Sequence, residues 1–187
     1  MSIIANKELY QTIQYHINDK MIINIERVFH GEIDIIHGFP IAMSNELILM
    51  SVISDFHDEG FAILRLSDIT DAYSTENDAF YEKICISEKI GNNTTTTIKD
   101  ITNLTFVLKQ LMNYDGFISI QCEEQIEKCT FHLGKIDIIE YDGVIFKDVG
   151  MDGIWDVETH KILFDKITQI TFGDNYSKMF YKYAEKN

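Results

Sequence analysis

Basic residues, cysteines and long apolar runs are all scarce in this chain. Its 187 residues hold 16 Lys and Arg against 30 Asp and Glu, a formal net charge of −14. Only two of the basic residues are arginines, Arg27 and Arg65. The deficit is general. Residues 1–92 carry 6 basic against 15 acidic side chains (−9), and residues 93–187 carry 10 against 15 (−5). Such a surface repels nucleic acid at long range and steers basic proteins in. Binding to duplex DNA or unstructured RNA is therefore not expected. No run nears the roughly 18 apolar residues of a membrane-spanning helix. The N-terminal MSIIANKELYQTIQYHIND lacks a basic segment followed by an apolar one, so a secretory leader is not expected. The expected location is cytoplasmic, with no membrane partner.

Cysteine is limited to Cys85, Cys122 and Cys129, an odd count with no CxxC pair. Zinc needs tighter local ligand spacing, so ordinary reduced thiols are expected. Catalytic signatures are missing too. There is no GxSxG, no Cys-His signature and no phosphate-cradling glycine loop. The histidines, His16, His30, His37, His57, His132 and His160, are scattered. A catalytic role would need a partner nucleophile or acid in reach, and no motif supplies one. Carboxylate pairs abound, so no glycosidase-like pair stands out. No cofactor is implied.

What is present is an apolar share of 45%, enough for a packed core, and an internal echo. GEIDII (31–36) and GKIDII (134–139) agree at five of six positions, 134 − 31 = 103 residues apart. The surrounding order agrees as well. Leu9, Ile13 and Ile17 form one helical stripe within 5–19. MIINIERVF (21–29), GEIDIIHGF, ELILMSVIS (46–54) and GFAILRLSDITDAY (60–73) have the β-branched density of strands. DFHDEG (55–60) reads as a hairpin loop. ENDAFYEKICISEKI (76–90) reads as a helix with Ser74 or Thr75 as N-cap.

GNNTTTT (91–97) reads as a linker. After it come a helix over 98–113, strands at 117–121, 128–143, 144–150 and 161–173, and a closing helix at 175–187. DIT (68–70) answers KIT (166–168), and AFYEK (79–83) answers MFYKY (179–183). Two units follow, 1–92 and 93–187. In this reading Gly31–Ile36 and Gly134–Ile139 are equivalent strands, Ile33 and Ile35 or their neighbours face inward, and His30 and His132 share a position. The aromatics Phe80, Tyr81, Phe180, Tyr181 and Tyr183 pack the helices onto their units.

Strands this short and bent, in about 60 residues, do not make a two-sheet sandwich but suit a small twisted barrel without long free edges. The expected fold is α+β: two tandem small, strongly bent antiparallel β-barrels, each flanked by helices. GEIDIIHGFPIAMSNELIL (31–49), with Met43 and Asn45, resembles the first half of an Sm-like fold, a kind of small SH3-like barrel. LRLSDI (64–69) resembles its second half, with Arg65 in place and Leu66 where the family has glycine. ILFDKI (162–167) has no such arginine. The resemblance implies barrel shape and, as an alternative function, binding of RNA or a nucleotide through Arg27, Arg65 and the loops.

Two acidic segments are the candidate contacts. Asp55, Asp58 and Glu59 crowd one loop with His57. Asp152, Asp156 and Glu158 surround Trp155, after Asp148. Neither has the ligand order of an EF-hand, and solvated acidic loops are common, so no metal is assigned. An aromatic with an acidic rim suits a basic partner. The leading expectation is a non-enzymatic acidic binding protein for a basic protein, in its most concrete form an immunity-like protein that neutralises a toxin. An enzyme of unknown reaction ranks third.

Overall fold

The computed structural model of the chain describes residues 3–91, 96–125 and 131–185. Helix α1 (Ile3–Asp19) leads into β1 (Ile23–Phe29), β2 (Glu32–Met43), β3 (Leu47–Ser54) and β4 (His57–Arg65). A single 3-10 turn (Leu66–Asp68) precedes β5 (Ile69–Tyr73) and α2 (Glu76–Glu88). Next come α3 (Leu104–Leu111), β6 (Ile118–Gln121), β7 (Phe131–Ile139), β8 (Gly143–Asp148) and β9 (His160–Leu163). A second 3-10 turn (Phe164–Lys166), β10 (Gln169–Phe172) and α4 (Asn175–Tyr183) complete the chain.

All ten strands join one antiparallel sheet in the order β5-β1-β2-β3-β4-β10-β6-β7-β8-β9. The α+β class therefore holds. Two closed barrels are not found, because the sheet is open. In each half the 3-10 turn redirects the chain, so the fifth strand leaves the fourth and pairs with the first. The free side of β4 is then taken by β10, with Gln169 opposite Leu64 and Phe172 opposite Phe61.

Both halves place their strands in the order fifth, first, second, third, fourth. The ladders fix the correspondence. Gly38 faces Val52, and Gly134 faces Asp148, an offset of 134 − 38 = 148 − 52 = 96. A bulge between Pro40 and Ala42 recurs between Ile136 and Ile138. The hexapeptide echo is thus out of register by 103 − 96 = 7 residues. An odd shift moves every side chain to the other face. Ile33 is accordingly 65% exposed where Ile136 is buried, while past the Ile136–Ile138 bulge Ile138 is exposed like Ile35.

The glycine equivalent to Gly134 is Gly38. A Cβ at Gly38 would lie 2.0 Å from the Ser51 carbonyl oxygen, and at Gly134 2.0 Å from that of Lys147. Gly31 has no neighbour within 4 Å of such a Cβ. It serves the β1–β2 turn with His30, at φ of 84° and 53°. His132 lies within β7, so the two histidines share no position. DIT and KIT do correspond, each running out of a 3-10 turn.

The sheet buries both faces near its middle. Leu47 and Leu49 of β3 pack with Val107, Leu108, Phe146 and Phe172, while Ile48 and Met50 pack beneath α1 with Ile13, Ile23 and Ile25. The unbroken apolar run LILM is what burial on both faces requires. Each such side chain contributes about 1.5–3 kcal/mol.

Other expectations need correction. The 98–113 helix contracts to α3, because Asn103 caps it by accepting the Phe106 amide at 3.1 Å. The Gln110 side chain holds residues 99 and 100 outside the helix. The 55–60 loop contracts to a two-residue turn, Asp55-Phe56, with φ of 46° and 61°. The cap of α2 is Thr75, whose amide donates to Asp78 Oδ2 at 2.6 Å. Linker residues 92–95, Cys129 and the start of the 128–143 strand lie outside the described residues. Cys85 and Cys122 are both buried.

Candidate functional site

Both arginines lie where the two halves meet. Arg27 is 1% exposed. Its guanidinium pairs with Asp34 across the β1–β2 ladder and with Glu123 Oε2 at 2.9 Å. It also donates to Gln169 Oε1 at 2.7 Å and lies 5.0 Å from the Phe29 ring centre. Arg65 donates from Nε to Asp68 at 2.8 Å and from Nη1 to the Asp165 carbonyl at 2.9 Å. These cations close the junction and present no free guanidinium fork to a phosphate.

The first acidic segment is less of a loop than expected. Asp55 and Asp58 are exposed and Glu59 is half-buried, but His57–Gly60 belong to β4. Asp58 Oδ1 accepts the Gly60 amide at 2.9 Å. Phe56 stacks on Tyr81 of α2 at 4.1 Å, and its amide donates to the Tyr81 hydroxyl at 2.7 Å. Tyr81 thus packs its helix onto the sheet as expected, whereas Phe80 is 70% exposed.

The second acidic segment is a true loop, residues 149–159 between β8 and β9. A bridge between Val149 and Trp155, and an Asp156 amide donating to the Asp148 carbonyl at 3.0 Å, pinch its base. Inside, the Gly150 amide donates to the Ile154 carbonyl, and Asp152 Oδ1 accepts the Ile154 amide. Asp152, Asp156 and Glu158 are exposed, and so are Met151, Ile154 and Val157. Trp155 is half-buried and packs on its own half. Its indole N–H donates to the Glu185 carbonyl at 2.9 Å, and its ring meets Phe117 edge-on at 5.2 Å.

Trp155 forms part of a concavity of about 790 Å³ whose other walls include Phe117, Tyr181, Lys135, Lys147 and Lys182. Lys147 lies 5.0 Å over the Trp155 ring and Lys135 4.9 Å over that of Tyr181. The Tyr181 hydroxyl donates to Asp115 at 2.6 Å, and that hydrogen bond to a carboxylate holds its pKa above the ordinary range. Asp137 and Glu185 also line the space, leaving it net positive by one charge in an acidic protein. Chemically it suits an apolar or aromatic body carrying a negative group. No motif in the sequence marks its lysines. The available signal was cross-strand: Lys135 and Lys147 stand opposite each other in the β7–β8 ladder.

Side chains alternate across a strand, so the neighbours of those lysines point to the other face. There Asp148 is 8% exposed and joined to His132, whose Nδ1 lies 2.9 Å from Asp148 Oδ2. Asp148 Oδ1 accepts the Leu133 amide at 3.1 Å. His160 Nε2 lies 3.8 Å from Asp148 Oδ2 and 3.8 Å from Asp156 Oδ2. Asp152 and Glu158, near these acids in sequence, stand outside the group, which takes two histidines instead. No group of four such residues forms at Asp55, His57, Asp58 and Glu59.

No family model, curated protein or solved structure matches this chain.

Proposed function

We propose that the protein is a non-enzymatic binding protein whose loop 149–159 docks a basic protein partner. The observation that carries this reading is the composition of the loop surface, where three exposed apolar side chains alternate with three exposed carboxylates. Apolar contact area ringed by charges of one sign is what a partner of opposite sign requires. The consumption of both arginines at the junction favours this over an RNA reading. In its most concrete form the partner is a basic nuclease, neutralised as an immunity-like protein would do it. The test is titration against a panel of small basic nucleases at low and moderate salt, reading both binding and residual cleavage. The triple change Asp152→Lys, Asp156→Lys, Glu158→Lys should slow association severalfold and flatten its salt dependence. Equal binding by the triple variant would remove the loop from the contact.

The finer fold assignment belongs to the same proposal: each half is an Sm-like or SH3-like unit opened along its fourth and fifth strands. A leading helix, five strands in the shared order and a 3-10 turn before the fifth support it. A second functional reading, a mononucleotide site, rests on the lysine-lined concavity. Trp155 is the chain's one tryptophan, so its fluorescence reports directly. Saturable quenching by a nucleoside monophosphate, lost in Lys147→Ala, would favour this reading, and an unchanged signal would dismiss it.

A further inference from the structure

We propose that His160, Asp156 and Asp148 form a binding site for a divalent transition metal of the zinc class, with His132 as a positioning residue. The three proposed ligands come from β8, the adjoining loop and β9. One ligand atom from each lies within 4.8 Å of both others. The His160 nitrogen stands 3.8 Å from an oxygen of each carboxylate. Ligand atoms at about 2.0–2.2 Å from a tetrahedral zinc lie roughly 3.3–3.5 Å apart, so a few tenths of an ångström bring His160 to that spacing from each carboxylate, and the two carboxylates close on each other from within 4.8 Å. Asp156 and His160 are both 48% exposed and free to make that movement.

Donor chemistry selects the metal class. One imidazole with two carboxylates suits zinc or a neighbouring transition ion, whereas calcium takes six to eight oxygens. The buried end of the site is prepared. Asp148 is fixed through one oxygen by the Leu133 amide and through the other by His132. A hydrogen-bonded histidine behind a ligating carboxylate orients it and tunes its basicity. A fourth position would be left for water. Because Asp148, Asp156 and His160 bracket residues 149–159, a bound ion would clamp that loop at both ends.

The test uses the full chain without an affinity tag, first dialysed against EDTA. Zinc chloride is titrated by calorimetry, and melting is followed with and without the ion. Expected are one saturable site per chain and a melting temperature that rises with zinc. Cobalt(II) should give the intense visible bands of four-coordinate N/O ligation. His160→Ala and Asp156→Asn change exposed side chains, so they should fold normally and weaken binding by at least tenfold. His132→Gln should weaken it about 10–100-fold while leaving one site. Asp152→Asn, in the same loop but outside the cluster, should bind like the parent. Unchanged affinity in His160→Ala and Asp156→Asn, equal weakening by Asp152→Asn, or absence of micromolar binding in the parent chain would each overturn the proposal.

Discussion

The hairpin β3–β4 and its counterpart β8–β9 occupy the same place in the two halves, yet only one is a plain hairpin. In the first half the ladder continues to Ser54 opposite His57 and closes in two residues. In the second it stops at Phe146 opposite His160 and releases residues 149–159. The freed backbone supplies Trp155 to the lysine-lined concavity and Asp156 to the histidine–aspartate cluster. One framework thus carries a stability-oriented version and a version that gives up ladder hydrogen bonds for surface. Both proposed sites fall in the second half, on or beside the segment where pairing was relinquished.

The strongest way to break the comparison is to challenge its register. If Gly38 and Gly134 are equivalent, alanine at either should destabilise by about 3 kcal/mol, because each added Cβ meets a backbone carbonyl that cannot move aside. Gly31→Ala should cost only about 1 kcal/mol, the penalty of its left-handed backbone. Urea denaturation of the three variants decides. A Gly31 cost matching Gly134 would restore the 103-residue alignment.

The junction between the halves is tested next. Arg27→Met leaves Asp34 and Glu123 without their cation. Loss of a buried partner costs about 3–5 kcal/mol, but side-chain exposures of 43% and 24% at the two acids place this one nearer 2–3. Denaturation followed separately by Trp155 fluorescence and by circular dichroism should also split into two transitions. Coincident curves would show that the sheet alone couples the halves.

Trp155→Ala removes a half-buried ring and should cost about 2 kcal/mol, less than the 3–5 of a fully buried aromatic. Phe56→Ala, at the tight hairpin, should cost about 1 kcal/mol. Equal losses would mean that the loop packs no more firmly than a turn.

The smallest effect compares helix caps. Burial alone would raise the pKa of Asp78, but the amide and hydroxyl of Thr75, then His37 and Asn24, outweigh it and hold it below the ordinary range. A depressed folded pKa contributes stability above the unfolded value, near 3.9, that disappears as pH falls through the folded one. Asp78→Asn should therefore cost about 1 kcal/mol at pH 7 and progressively less below pH 4. A constant difference would assign the loss to packing.

Much of the fold was legible because it is local. Strand density, helix stripes and the Thr75 cap depend on neighbours in sequence. Register was not, since an Ile-rich chain offers the same alternation at several offsets, and a seven-residue slip looks like an identity. The inward place of Arg27 was legible in principle: Ile23, Ile25 and Arg27 share one face of β1, with Asp34 across the ladder. At the site, Asp148, Asp156 and Trp155 stand out in the sequence, but His132 and His160 join them only through pairing between β7, β8 and β9. Such pairing leaves no trace in the spacing of a single segment.

The β4–β10 junction has one more consequence. It unites a fourth strand with a fifth strand, and the remaining members of that pairing, β9 and β5, lie at the two ends of the sheet. A second copy meeting the first end to end would set Ala72 opposite Lys161 if it repeated the inner register of Ile170 and Ile63. Growth of that kind has no natural stop, and exposed strand edges invite it. Both ends are blunted. Asp71 takes up the Ala72 amide with its own carboxylate at 2.8 Å. Lys161 is held between Glu140 and Asp142, each at 2.8 Å. What opposes such growth is thus a few charged side chains at the rims, and not the core.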